Sequence, residues 1–212
     1  VTKPNRKQIR EKSQPSEKIL ETRLKTSRQV VLGVDPGLAK TGITFLERVG
    51  RAKPRVLEVI VLETSPAKKK GSNTLRVTID DQRRYKEIYT GMSALCQKYN
   101  PFAVGVEAYL IGQQAASSAW KTAVVYGGIL YYAYSQNMFV APFLPLDLKR
   151  RFAGKKGASK LDVADGLYPL VTGLEDMISV LPKTKREHAV DAAGHAFLVF
   201  EEIDKTRELL GI

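Results

Sequence analysis

Asp35, Glu107, His188 and Asp191 carry side chains of the kind that hold divalent cations, and each sits in an apolar stretch. The stretches are Val31-Leu32-Gly33-Val34-Asp35-Pro36-Gly37, Ala103-Val104-Gly105-Val106-Glu107 and His188-Ala189-Val190-Asp191-Ala192-Ala193. A carboxylate that ends a hydrophobic strand loses hydration on folding, and a cation or a proton must offset that loss. Two or three carboxylates with open positions suit Mg2+ or Mn2+, which prefer oxygen ligands and keep water for the substrate. Two such ions activate a water and stabilise the leaving oxygen of an in-line displacement, which is phosphodiester hydrolysis without a covalent intermediate. Each residue also has a plainer reading. Asp35 before Pro-Gly is a turn former, Glu107 a strand end, and His188 with Asp191 the polar face of an amphipathic helix. His195 shares that face and reads as structural or peripheral.

The elements that must bring these residues together follow from the hydrophobic pattern. Gln29–Asp35 is a short apolar run closed by Asp-Pro-Gly, a strand and a tight turn. Thr41–Val49 and Arg55–Glu63 follow as strands around a turn at Gly50–Pro54. Asp80–Tyr99 carries Tyr85, Ile88, Tyr89, Met92, Leu95 and Cys96 at helical spacing, and Asn100-Pro101 ends it. Phe102–Glu107 is a buried strand, Gln113–Gln136 a long helix, and Met138–Pro142 a short strand. One or two helical turns at Asp147–Phe152 and helices over Ser159–Val171 and Glu187–Ile203 complete the chain. Three antiparallel strands and then alternating helices and strands predict a mixed α/β sheet, whose functional residues gather beyond the carboxyl ends of the central parallel strands. Neighbouring first and fourth strands would set Asp35 beside Glu107, and the i, i+3 spacing of His188 and Asp191 points both the same way. Gly127-Gly128, inside the long helix, is read as kept for close approach of another backbone.

With 34 Lys and Arg against 22 Asp and Glu, the chain carries +12 at neutral pH and favours a polyanionic partner. Residues 1–28 hold nine Lys or Arg and three Glu and read as a basic arm, with a short helix over 16–26. Residues 29–205 form the globular domain and 206–212 a tail. Lys68-Lys69-Lys70 lie in a further basic loop. A single cysteine, Cys96, excludes an intramolecular disulfide and a cysteine-rich zinc site, and fits a reducing compartment. There is no run of 18 apolar residues for a membrane span and no signal-peptide core near the start. The start at Val1 is read as processing or trimming, which leaves a removed targeting peptide open. The expected setting is a bacterial or phage-infected cytoplasm, or an organelle, with no membrane contact and no small-molecule cofactor.

In order and spacing these segments resemble the RuvC-type Holliday junction resolvases over roughly residues 29–205. The likeness runs through Val-Leu-Gly-Val-Asp35-Pro-Gly-Leu-Ala-Lys-Thr-Gly, then Arg84-Tyr85-Lys86-Glu87-Ile88-Tyr89-Thr90-Gly91, Val-Gly-Val-Glu107, the Lys149–Lys160 segment and His188-Ala-Val-Asp191-Ala-Ala. The resemblance implies an RNase H-like fold, a five-stranded mixed sheet flanked by helices. It implies a homodimeric endonuclease that nicks four-way DNA junctions symmetrically with Mg2+ or Mn2+, two ions per site. Asp35 would bridge the ions, Glu107 and Asp191 would each hold one, and His188 would be a co-ligand or position water. Lys149 and Lys160 match basic positions near the scissile phosphate. The family's stacking aromatic has no direct counterpart: Tyr109 stands one position early and Leu110 occupies its place, so either Tyr109 stacks, or Leu110 acts as an apolar wedge, or junction recognition differs.

The basic arm and loop suggest added phosphate contacts that extend the substrate range to forks or flaps. An actin-like or sugar-kinase-like ATP-binding domain, which also begins with a strand, an Asp and a Gly turn, is disfavoured by the length of the chain. A non-catalytic junction-binding module is disfavoured by the retention of all four metal-type residues. Two opposed nicks need a twofold axis, with the interface expected on the long helix near Trp120, Val124 and Tyr131, unless that face packs on the protein's own sheet.

Overall fold

A computed structural model describes residues 22, 26, 28–67, 74–108 and 116–211. The basic arm before Thr22, the Lys68-Lys69-Lys70 run, Tyr109 and Leu110 lie outside the described residues. The chain runs β1 (Arg28–Asp35), β2 (Lys40–Val49), β3 (Arg55–Glu63), α1 (Thr74–Tyr99), β4 (Ala103–Glu107), α2 (Ala116–Ser135) and β5 (Phe139–Phe143). It continues through α3 (Pro145–Ala153), α4 (Lys160–Leu167), a 3-10 turn (Tyr168–Leu170), α5 (Leu174–Ser179) and α6 (Lys183–Leu210).

The sheet has the order β3-β2-β1-β4-β5. β1–β2 and β2–β3 pair antiparallel, β1–β4 and β4–β5 parallel, so the two strands carrying Asp35 and Glu107 are neighbours in the centre. Side chains alternate across a strand, and the two faces are buried differently. Val30, Leu32, Val34, Val104 and Val106 pack with Ile88, Met92 and Ile129 of α1 and α2. Val31 and Ala103 face the other way, into a core with Phe152, Leu167, Ile178 and the apolar stripe of α6. The same alternation turns Gly33 and Asp35, and Gly105 and Glu107, toward α6.

Helix α6 lies almost on the sheet's main chain. A Cβ at Gly33 would stand 1.9 Å from the carbonyl oxygen of Ala192, one at Gly42 2.1 Å from that of His188, and one at Gly105 2.3 Å from that of His195. The helix answers with small residues: Ala189, Ala192, Ala193 and Ala196 are wholly buried. Both ends are pinned to β2. Lys40 Nζ donates to the carbonyl of Thr184 at 2.8 Å, and Arg48 makes a two-pronged pair with Asp204 at 2.6 and 2.7 Å while lying over the Phe200 ring.

On the opposite face α1 is tied to the loop after Asp35. Arg84 and Asp81, both buried, form an ion pair at 3.4 Å; Arg84 Nε donates to Thr64 Oγ1, whose hydroxyl donates to the Leu38 carbonyl. Lys121 of α2 reaches Asp81 at 2.9 Å.

Three sequence expectations change. Helix α6 begins at Lys183 rather than Glu187 and continues to Leu210, through the expected tail boundary. The Ser159–Val171 helix stops as an α-helix at Leu167, and α5 follows where none was expected. Helix α1 begins at Thr74 rather than Asp80. Gly127 and Gly128 would meet nothing within 4 Å among the described residues if they carried a Cβ, which leaves the space beside them open. Trp120, Val124 and Tyr131 are exposed, so that face of α2 does not pack on the protein's own sheet.

Candidate active site

The carboxyl ends of β1 and β4 and the first half of α6 meet at one end of the sheet. In the parallel register Val34 faces Val106, and one residue further on lie Asp35 and Glu107. His188 sits on α6 where its backbone rides over Gly42, the β2 partner of Asp35. Its Nδ1 lies 2.6 Å from Asp35 Oδ2. One turn on, Asp191 is nearly buried and bonded by the ammonium of Lys160.

Lys160 arrives from a separate helix. Ser159 caps α4, its hydroxyl accepting from the Asp162 N–H at 3.1 Å while its own N–H donates to Asp162 Oδ2 at 2.8 Å. The cap fixes Lys160 as the first residue of α4 and sends its side chain to the carboxylates. Lys149, half-buried on α3, forms no ion pair with the four. The structure therefore joins Asp35, Glu107, His188, Asp191 and Lys160, and leaves Lys149 apart.

The charges are mutually felt. Burial, then the neighbouring charges of Asp35 and Asp191, push the Glu107 carboxyl up to about 7, against the pull of Lys160. Burial also raises Asp191, with Lys160 opposing. The bond to Asp35 raises His188, against its own desolvation. Burial lowers Lys160, but the charges of Asp191, Asp35 and Glu107 outweigh it and the net shift is upward.

The donor set is three carboxylates and an imidazole, a fit for a hard divalent cation. A cluster in which burial, and then two like charges, push Glu107 up to about 7 is short of positive charge, which is the deficit such an ion fills. The side chains do not close on one point as they stand: among the described residues, no three of His, Cys, Asp or Glu are gathered into a ready ion site. Instead the Lys160 ammonium bonds Asp191 and the His188 imidazole bonds Asp35.

His195, set aside in the sequence, lies on the same face of α6 and is wholly buried. Its Nδ1 is 3.1 Å from the Val34 carbonyl, its ring lies parallel to Phe143, and burial lowers it to about 4. Gly33, Gly42 and Gly105 were also passed over. The signal available was positional: glycines that interrupt three apolar strands at residues which share a face.

The family model for crossover junction endodeoxyribonuclease RuvC matches residues 31–196. The chain belongs to the RuvC family. That match takes in Asp35, Glu107, Lys149, Lys160, His188 and Asp191. RuvC of Chlorobium phaeovibrioides is 30% identical over 135 residues, 64% of this chain and 65% of the relative. RuvC of Shewanella pealeana is 27% identical over 168 residues, 79% of this chain and 84% of the relative. Among solved structures, Thermus thermophilus RuvC in complex with Holliday junction substrate superposes with a TM-score of 0.64 at 25% identity, over 82% of this chain and 97% of that one. The yeast mitochondrial Holliday junction resolvase shares the fold, with a TM-score of 0.55 at 14% identity over 93% of this chain and 91% of that one.

Proposed function

We propose that this chain is a structure-selective endonuclease that resolves four-way DNA junctions by metal-assisted phosphodiester hydrolysis. The observation that carries the reading is the meeting of Asp35, Glu107, His188, Asp191 and Lys160 at the central strand ends. Membership of the RuvC family and the net charge of +12 support it. No described helix is long and apolar enough to cross a membrane.

Asp35, Glu107 and Asp191, with His188 beside them, are the residues that would hold Mg2+ or Mn2+, two ions per site. When bound, such ions supply a water of lowered pKa and a Lewis acid for the leaving oxygen. The residues divide the remaining work. Glu107 binds a cation only once its carboxyl has lost its proton. His188 shares a proton between its Nδ1 and Asp35 Oδ2, orienting both groups. Lys160 keeps a positive charge beside Asp191, where it can meet a phosphate oxygen. Lys149 would contact the DNA backbone further out. Tyr109 and Leu110, two and three residues after Glu107 in the chain, would meet the bases at the branch point.

Paired nicks need two copies related by a twofold axis. The exposed apolar face of α1 and α2 suits the contact. Tyr89, Trp120, Val124 and Tyr131 are exposed there around a groove of about 270 Å³ lined by Tyr85, Ile88, Met92, Val125 and Gly128.

The test is a labelled four-way junction incubated with protein and Mg2+. The expected products are two symmetric nicks bearing 5′-phosphate and 3′-hydroxyl ends, lost on chelation and with Asp35→Asn. Intact junction at high protein, or undiminished cutting by Asp35→Asn, refutes the reading. A panel of forks, flaps and linear duplexes measures how far the substrate range extends.

A further inference from the structure

We infer that His195, through the hydrogen bond from its Nδ1 to the Val34 carbonyl, is a positioning residue that holds the Asp35 and Glu107 strand ends against α6. The inference rests on the proposed nuclease reading, since it concerns how that site is held in shape.

A carbonyl only accepts, so Nδ1 facing Val34 O at 3.1 Å is the protonated nitrogen and Nε2 carries a lone pair. Val34 is the residue before Asp35. The carbonyl oxygen of His195 itself lies 2.3 Å from where a Cβ on Gly105 would stand, two residues before Glu107. The ring stacks on Phe143 at 6.3 Å with planes 4° apart. The Phe143 carbonyl accepts the N–H of Ala108 at 2.7 Å, the residue directly after Glu107. One residue therefore touches the main chain beside both carboxylates and the ring of the strand that flanks them.

The interior position makes the contact specific. Nε2 is buried with no protein partner among the described residues. A buried acceptor without a protein donor is unfavourable, and Leu or Phe would fill such a space without it. A polar ring at this place is explained by what Nδ1 does. Val34 lies in the last paired stretch of β1, between Ile43 of β2 and Val106 of β4, and the His195 N–H reaches its carbonyl from α6. Without that donor the end of β1 loses a polar tie to α6, the helix that carries His188 and Asp191, and the spacing of Asp35 from those two side chains loosens. Second-sphere partners of this kind act on metal affinity and rate together.

The experiment compares three variants with the parent. His195→Asn places an amide N–H near the position of Nδ1, His195→Gln sends it to the position of Nε2, and His195→Leu removes the donor. Three quantities are read: thermal stability, Mn2+ affinity by calorimetry on the free protein, and single-turnover nicking of a four-way junction at saturating DNA. His195→Asn should stay near the parent in both Mn2+ affinity and rate, while His195→Gln and His195→Leu lose about 10-fold or more in each with junction affinity unchanged.

Equal Mn2+ affinity and rate in Leu and parent overturn the inference. So does an equal loss in Asn and Gln, which would assign the residue to packing. If the Leu variant does not fold, the Asn–Gln comparison decides alone. A parent that binds Mn2+ and cuts no junction removes the nuclease reading, while the Mn2+ affinities of the variants still decide the role of His195.

Discussion

Gly33 and Gly105 are register partners on adjacent parallel strands, and a methyl group on either would collide with the main chain of α6. The clash is with backbone oxygens, which no rotamer change can move aside. Gly33→Ala should therefore destabilise by about 3 kcal/mol or more, or prevent folding. Chemical denaturation checks this, and Gly127→Ala is the control: with open space around it, its effect should be neutral or stabilising by up to ~1 kcal/mol from helix propensity.

Glu107→Gln should separate stability from activity. The glutamate is held near 7 by burial and by two like charges, so at pH 8 it is an unfavourable charge in the metal-free protein. Removing the charge should stabilise the metal-free protein by roughly 1–3 kcal/mol at pH 8, read as a higher melting temperature. Junction cutting should disappear while binding persists.

The metal-free protein should lose stability as pH rises from 5 to 8. Glu107 and Asp191 have folded-state values raised above their ordinary ones, and so does His188. A raised group contributes stability that is complete below its unfolded value and is lost as pH passes its folded value, so all three act in the same direction. For Glu107 the window runs from 4.5 to about 7. The expected loss is on the order of 2 kcal/mol. Mg2+ should reverse it, and the Mg2+ concentration needed for half-maximal cutting should rise as pH falls below about 7. Melting curves across pH with and without Mg2+, together with metal titrations of the nicking rate, check both parts.

Lys160→Met should leave Asp191 without its ammonium partner. Expected is a fall in single-turnover nicking of about 10- to 100-fold, with junction affinity changed little, since one phosphate contact among many is lost. A loss confined to binding would move Lys160 out of the site.

Arg84→Leu should be among the most destabilising changes outside the sheet. Asp81 is 2% exposed and loses its Arg84 partner while keeping the ion pair to Lys121, and Thr64 loses a donor beside the Asp35 loop. A loss of about 3–5 kcal/mol is expected. Asp81→Asn combined with Arg84→Leu should recover part of it in a double-mutant cycle.

The strands and the four metal-type residues were legible because their signals are local: β-branched runs closed by turns, and an i, i+3 pair on a helix. The start of α6 was not. Lys183-Thr184-Lys185-Arg186 has no apolar period, and the helix there is held from outside by the Lys40 bond to Thr184. Helix α5 is six residues long and opens at Gly173 with positive φ, too short to show a period. Lys160 was reachable only by resemblance, because charge alone cannot single out one basic residue among 34. The meaning of Gly33, Gly42 and Gly105 lies between strands rather than within any one of them. Gly127-Gly128 announces room for another backbone, and among the described residues of the chain nothing takes it, so its partner is not legible from one copy.

The outer strand β5 has a quieter consequence. Phe139 donates its N–H to Phe102 and Phe143 accepts from Ala108, so Val140 and Pro142 present their peptide groups to the open side, and proline has no N–H to offer. At the opposite rim, Thr172 bonds to the start of β3 through Pro54 and Val56. With one border missing a donor and the other partly covered, a continuous sheet running across two molecules is a poor way for copies of this protein to join. Where copies of this chain pair as proposed, helical surfaces are the place for the contact, and the exposed face of α1 and α2 is one of them.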